Sequence, residues 1–445
     1  MTKNHSQLSR RNFLKQLGVA GLSMPFVTRG LMAVSPNSVL RHASFGTAGM
    51  AGGDISALTA NSFVKLVAVA DVDSNHSAAL KKKFADLKVY RDWRELLDKE
   101  EKNIDSVNVS TPDHMHAPIE MSAMQLGKHV YGQKPLAHDI YEVRQLTLMA
   151  RKKKLVTQMG IQIHSAVEYR LAVKLIQDSV IGKIKEVHSF SHKKWGDPKP
   201  CPDRSDPVPS SFKWDLWLGV AEERPFLGDG YYHPANWRKR LDFGTGTFGD
   251  MGCHIYDPVF KALELTAPIS VRSEGPKPNA DNWANNARIQ YVFPGNHLTE
   301  GKTVQVTWYD GDGRPAGEVQ TLLEGDKLPE QGSMFVGTKG VLLLPHVAKP
   351  QLYPYAQFKD FSFPKLPAQN HWTQFAEACR GNGKTSAHFD YAGPLTETVL
   401  LGGVATRFPQ ATLRWDAAKL KFDASEADQL LRRAYRKGWE VAGLS

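Results

Sequence analysis

The sequence predicts an α/β protein: a doubly wound parallel sheet, followed by an α+β domain with a large, mostly antiparallel open sheet. Three observations predict it. Residues 36–160 alternate short apolar runs with helical patterns, and repeated βα units of that length imply a right-handed parallel arrangement. Residues 161–445 bring strand-like runs in succession, the mark of a mostly antiparallel sheet. The chain is 445 residues long with 41% hydrophobic and 23% charged residues, a globular composition with material for two or three domains.

The elements follow in order. Strands are expected at 40–45, 64–70, 105–109, 129–131 and 156–159, and helices at 54–60, 77–85, from 93, and at 117–126 and 140–150. The run Val64–Ala70 (VKLVAVA) is apolar enough to be buried on both faces of a sheet. After it the pattern changes. A helix at 167–178 and a strand at 184–192 lead into a Pro-rich aromatic stretch, 195–240. Strands are expected at 287–292, 304–308, 317–323, 334–337 and 341–344, and helices at 370–380, 394–405 and 427–436.

The N-terminus carries Ser9-Arg10-Arg11-Asn12-Phe13-Leu14-Lys15 before a weakly apolar, Gly-containing stretch from Leu17 to Val27. Twin arginines ahead of a modest apolar segment read as a twin-arginine export signal over residues 1–35, addressing a folded protein to the periplasm or beyond. Residues 1–35 hold Lys3, Arg10, Arg11, Lys15, Arg29 and no acid, so five of the formal +10 charges belong to that segment and five to the rest. That residue of charge argues against nucleic acid as a partner. The runs Lys81–Lys83 and Arg151–Lys154 sit near predicted helix ends, where cations complement the dipole. Cys201, Cys253 and Cys379 are too far apart for a CxxC zinc site and too few for a disulfide framework. No stretch reaches the ~20 apolar residues of a good membrane span.

The first strand runs into Gly46-Thr47-Ala48-Gly49-Met50-Ala51-Gly52-Gly53. A glycine-rich strand-to-helix turn lets the backbone approach a pyrophosphate at a helix N-terminus. The usual G-x-G-x-x-G spacing reads here Gly46, Ala48, Ala51, a degenerate fingerprint. The second strand ends at Asp71, 25 residues after Gly46, with Asp73 as its neighbour. A carboxylate at that distance can accept from an adenosine ribose and would repel a 2′-phosphate, favouring NAD over NADP. The third strand ends in Ser110-Thr111-Pro112, followed by His114 and His116, a turn suited to line a ligand crevice. Gln133, Lys134 and Gln162 complete the candidate cofactor contacts.

Lys134 follows the next strand, where an ammonium can hydrogen-bond a substrate hydroxyl and stabilise a developing alkoxide. In Gly249–Asp257, the residues Asp250, His254 and Asp257 fall on one helix face. A histidine between carboxylates is a candidate general base. A structural histidine, or a metal set of Asp250, His254 and His233, are the rival readings; no metal is assigned. The 195–240 stretch mixes aromatic and planar polar side chains, which suits a carbohydrate ring or plain packing. Tyr232, His233, Trp237 and Arg238 from it, together with Asp257, are the candidate substrate contacts.

The glycine loop with Asp71, the Ser110–His116 turn, the Lys134-Pro135 element and the Gly249–Asp257 helix together resemble the Gfo/Idh/MocA family of glucose–fructose oxidoreductases and inositol dehydrogenases. The resemblance runs from about residue 38 to the C-terminus. It implies a Rossmann domain plus an open-sheet domain, a nicotinamide cofactor, Lys134 and His254 handling the substrate hydroxyl proton, and Asp250 orienting them. Gln133 departs from the family's usual Glu before the lysine. The expected activity is oxidation or reduction of a sugar hydroxyl. An alternative is a redox-neutral, NAD-dependent glycosidase working by transient C3 oxidation, and a third is a non-catalytic sugar-binding protein. An exported enzyme is expected to hold its cofactor tightly, and an exposed sheet face points to a homo-oligomer.

Overall fold

The computed structural model describes residues 39–445, which lie within one compact unit. The proposed export segment lies outside the described residues. Six strands form the first sheet: β1 (Leu40–Phe45), β2 (Val64–Ala70), β3 (Lys88–Tyr90), β4 (Ser106–Val109), β5 (His129–Gly132) and β6 (Thr157–Met159). Their order is β3-β2-β1-β4-β5-β6 and every pairing is parallel. This is the doubly wound sheet of a dinucleotide-binding domain, with its crevice at the carboxyl ends of β1 and β4. Helices α1 (Met50–Thr59), α2 (Ser74–Lys83), α3 (Trp93–Glu100), α4 (His116–Gln125) and α5 (Ile140–Lys153) connect the strands.

β1 and β4 bury polar side chains as well as apolar ones. His42 bridges Ser106 Oγ at 2.8 Å and Asn108 Oδ1 at 2.9 Å, so each buried polar group finds a partner. Burial pushes that imidazole down to about 4.

Helix α6 (Val167–Gln177) leads into a nine-stranded sheet. Its strands are β7 (Ile184–Ser191), β8 (Ser270–Ser273), β9 (Arg288–Pro294), β10 (Thr303–Asp310), β11 (Gln331–Gly337), β12 (Val341–Pro345), β13 (Gln351–Tyr353), β14 (Thr412–Asp416) and β15 (Lys421–Phe422). The order is β13-β12-β11-β7-β10-β9-β8-β14-β15, antiparallel except for β7 beside β10. Helix α7 (Gly246–Ala262) packs on β7 and β11 and against α6. Helices α8 (His371–Cys379) and α9 (Phe389–Ala405) return to the first domain, α8 onto α1 and α9 onto α5.

Two sequence expectations are corrected. The strand expected at 317–323 is a helical turn, Gly317–Gln320 continued by Thr321–Leu323. Val319 and Leu323, four apart, pack into one cluster while Leu322 is exposed, which is helical spacing rather than alternation. The helix expected at 427–436 is only Ser425–Asp428. Distant partners draw the remainder out: Arg433 N–H donates to Asp139 Oδ2, Tyr435 Oη to Glu142, and Arg436 to Gly219 O. Among the described residues, no helix is long and apolar enough to cross a membrane.

Candidate active site

A cleft of about 580 Å³ opens at the carboxyl ends of the parallel strands. At one end, β1 turns into α1. Gly46 has φ 92° and a Cβ there would sit 2.7 Å from Ser110 O, so the turn needs a glycine both for its conformation and for its approach to β4. The helix α1 has no acid in its first turn and no side-chain cap, leaving its leading N–H groups for an anion. Gly46, Ala48, Gly49 and Met50 line the cleft. Ala51 is buried beneath it, against Gly46.

Asp71 also lines the cleft. Its Oδ2 accepts from Thr47 N–H at 3.0 Å and Thr47 Oγ1 at 2.6 Å, and its Oδ1 accepts from Asp73 N–H. Burial works against its charge, but His76 and these hydrogen bonds outweigh it and lower the pKa, so the carboxylate is ionised. Asp73 caps α2 through Asn75 N–H and does not line the cleft.

Ser110, Thr111, Pro112, His116 and Gln133 line the middle. His116 lies between Pro135 O at 2.7 Å and Thr111 O at 2.8 Å and ties two strand-end turns together. His114 faces away, fully buried between Trp217 and Phe243, so its candidacy as a cofactor contact gives way to packing. Gln162 opens a short turn after β6 and is absent from the cleft lining, with its Oε1 buried and unpartnered among the described residues.

Asp54, which the sequence reading missed, lies under this floor. It accepts from Ser110 Oγ at 2.8 Å, Gln133 Nε2 at 2.8 Å and Trp372 Nε1 at 2.9 Å. Burial raises its pKa despite these bonds. The amide at position 133 now has a physical reason. It donates to a buried carboxylate, where a Glu would set acid against acid.

At the other end, Lys134 Nζ donates to Asp250 Oδ1 at 2.7 Å and to Asp250 O at 2.6 Å. The same carboxylate takes Trp195 Nε1 at 2.8 Å, Lys193 Nζ at 3.2 Å and Arg238 Nε at 3.2 Å. Burial alone would raise the Asp250 pKa, but the three cations reverse that and hold it well below the usual carboxylate range. Lys134, Trp237, Arg238 and His254 line the cleft.

His254 is buried, and burial followed by the Lys134 charge pushes it well below 6.5, so its imidazole is neutral. It is hydrogen-bonded to neither carboxylate of its helix. That corrects the expectation of a histidine flanked by acids. Asp250 is saturated by stronger cationic donors, and Asp257 accepts from Tyr391 Oη at 2.6 Å and pairs with His164 Nδ1 at 2.8 Å. Asp257 is 2% exposed and lies outside the cleft lining, so its candidacy as a substrate contact is not supported by its position.

The aromatic stretch divides. Tyr232 is 2% exposed and packs on Trp214, Trp217 and Phe243, a packing role in place of the expected substrate contact. His233 lines the cleft at the β2 end, stacked on Phe212 and 5.6 Å from His76. The rival metal set of Asp250, His254 and His233 is not assembled among the described residues. His233 instead meets Asp73 and His76, with one potential ligand atom each inside 4.8 Å. The reading also missed Lys193 and His346, and took Trp195 only as part of the aromatic stretch. Lys193 follows β7 closely, and a polar run after a strand was the available signal. His346, whose ring lies 6.0 Å from that of His254, had no local one.

A parallel sheet with a glycine turn, an ionised acid after β2, and a lysine after β5 that shares the cleft with a histidine of α7 define a dinucleotide-dependent class. The profile described as "Oxidoreductase family, NAD-binding Rossmann fold" matches residues 40–161, and "Oxidoreductase family, C-terminal alpha/beta domain" matches residues 183–441. The chain belongs to the Gfo/Idh/MocA oxidoreductase family.

Among curated relatives, a levoglucosan dehydrogenase of Pseudarthrobacter phenanthrenivorans is 24% identical over 189 residues, 42% of this chain and 40% of that protein. An inositol 2-dehydrogenase/D-chiro-inositol 3-dehydrogenase of Lactiplantibacillus plantarum is 32% identical over 124 residues, 27% of this chain and 34% of that one. These matches span well under half the length of those relatives. Among solved structures, the WlbA dehydrogenase of Bordetella pertussis with NADH and UDP-GlcNAcA superposes with a TM-score of 0.60 at 14% identity, covering 85% of this chain and 99% of that one. At that identity the likeness concerns the fold.

Proposed function

We propose that the protein is an exported oxidoreductase that interconverts a hydroxyl and a carbonyl on a sugar-type substrate, with NAD held in the cleft. The observation that carries this is the Lys134–Asp250 pair beside a neutral His254, at the carboxyl end of β5 in the cleft that the glycine turn closes.

The residues present fit the cofactor. The uncapped start of α1 suits a pyrophosphate, and ionised Asp71 suits a ribose diol and disfavours a 2′-phosphate. When bound, a nicotinamide supplies the hydride acceptor or donor. The chain's own groups then manage the proton. Lys134, fixed by two bonds to Asp250, presents an ammonium to the substrate oxygen and stabilises negative charge developing there. His254, neutral and buried, can receive the hydroxyl proton. Asp250 balances the cations and fixes the lysine. The dehydrogenase relatives, named for an anhydrosugar and a cyclitol, support a polyol substrate.

The twin-arginine string at Ser9–Lys15 supports export, and with it a cofactor retained through turnover. A homo-oligomer belongs to the same proposal. A second reading, the redox-neutral glycosidase, is favoured by one observation: a glycosyl hydrolase family 109 protein of Shewanella sp. (strain ANA-3) is 30% identical over 92 residues, 21% of this chain and 20% of that one.

The test uses protein purified without added cofactor. Bound nicotinamide is measured after denaturation, and free sugars and chromogenic glycosides are offered. Cofactor reduction by a free sugar, lost in Lys134→Ala and His254→Ala, is expected. Aglycone release without net reduction would replace the dehydrogenase reading with the hydrolase one.

A further inference from the structure

We propose that the substrate is an acidic sugar, a polyol ring bearing a carboxylate that the Arg238 fork receives; this rests on the oxidoreductase reading above. Three cations, Lys134, Lys193 and Arg238, lie within 3.2 Å of one carboxylate, that of Asp250. Two positive charges are therefore left over in the cluster. The neighbouring histidines do not add to that count, since burial drives His254 well below its ordinary value and His346 down to about 4. No second acid pairs with these cations: Asp257 bonds to His164 and Tyr391, and Asp113 to Thr245.

Asp250 itself cannot satisfy the excess. Its Oδ1 already accepts from Lys134 and Arg238 Nε, and its Oδ2 from Trp195 and Lys193. Arg238 is gripped through Nε alone. Among the described residues its two Nη groups have no hydrogen-bond partner, although its side chain is only 27% exposed. The guanidinium is braced by Trp237, 4.3 Å to the ring centroid, and by Trp195 at 5.6 Å. It lines the same cleft as Lys134 and His254.

A planar fork held by its back edge and stacked on tryptophans presents two parallel N–H donors, the geometry that matches a carboxylate bidentately. Stabilising a developing alkoxide requires Lys134 but neither the Arg238 fork nor Lys193. A neutral sugar would bury part of that fork against groups that satisfy it poorly, whereas a sugar acid pairs it and cancels half of the excess charge.

The experiment titrates NAD-loaded protein with D-glucuronate and D-galacturonate, and with D-glucose, D-galactose and glucose 6-phosphate, following tryptophan fluorescence and calorimetry. At least one uronate is expected to bind about 10-fold or more tighter than its neutral counterpart. That preference should weaken with added salt, vanish in Arg238→Met and partly survive in Arg238→Lys. Equal or tighter binding of the neutral sugars, or a preference unchanged in Arg238→Met, overturns the inference while leaving the oxidoreductase reading intact. Preference for the phosphate over both uronates overturns the carboxylate assignment. Protein that takes up no nicotinamide overturns the reading of the site as well.

Discussion

The two ends of the cleft are built from different materials. The β2 end, around Gly46–Met50 and Asp71, is backbone: a turn at positive φ, uncapped helix amides and one ionised acid held by Thr47. The β5 end is side chains: Lys134, Lys193, Arg238 and Trp195 converging on Asp250. The difference teaches how the two tasks are met. Holding a cofactor needs an anion cradle that any member of a large fold class can supply, because main-chain groups provide it. Doing chemistry on one substrate needs charges whose positions are fixed by one another. Substitutions at the first end should therefore act on binding, and at the second on stability and turnover together.

Asp250→Ala probes the second end hardest. Three cations would lose their shared counter-charge, and breaking such a buried arrangement costs about 3–5 kcal/mol. The expected outcome is a large fall in melting temperature with loss of turnover; an unchanged melting temperature would show that the cluster is not mutually supporting. Lys134→Ala is next, since removal of one preorganised donor lowers kcat by about 10²–10³-fold. Nicotinamide binding should persist in that variant.

A pH series tests four desolvated histidines, two of them buried and two half-buried. His42, His129, His346 and His371 are each pushed down to about 4 from 6.5, with burial the first cause in every case. Between those values the unfolded chain binds more protons than the folded one. Stability is thus full above about pH 6.5 and is lost as pH falls toward 4, on the order of 1–3 kcal/mol per histidine. Thermal melts across that window should show a steady decline, and a flat profile would contradict it.

At the first end, Asp71→Ala should weaken NAD binding about 10- to 100-fold, the scale of charged hydrogen bonds, with kcat at saturating cofactor little changed. The smallest effect expected is that of Gln133→Glu. It sets a second carboxylate against Asp54, for a loss of about 1 kcal/mol that Asp54→Asn should relieve in a double-mutant cycle. Additive losses would show that the two side chains do not couple.

How much of this was legible in the sequence follows the same division. The β2 end is local: turn, helix, strand and acid all fall between Gly46 and Asp71, directly after β1. Their order alone implied the parallel sheet and its crevice. The β5 end is assembled across the chain, with Lys134 116 residues from Asp250 and Trp195 55 residues from it. Sequence spacing put Asp250, His254 and Asp257 on one helix face, but could not tell that the two carboxylates would turn to other partners and leave the histidine between them unpaired. Tyr232 and His114 misled for a related reason. An aromatic or a histidine in a site-like motif reads the same whether it faces a ligand or a hydrophobic cluster. The wrong strand at 317–323 and the overlong helix at 427–436 fell where spacing was ambiguous or where distant hydrogen bonds overrode it.

The central claim is that Lys134, fixed by Asp250, does chemistry on a substrate oxygen beside a bound nicotinamide. Its most direct test is a single-turnover measurement on NAD-loaded wild type and Lys134→Ala at equal occupancy, following nicotinamide absorbance after a saturating polyol substrate is added. Reduction of the bound cofactor in the wild type, slowed about 10²-fold or more in the variant, is the predicted result. Equal rates in the two proteins would contradict it.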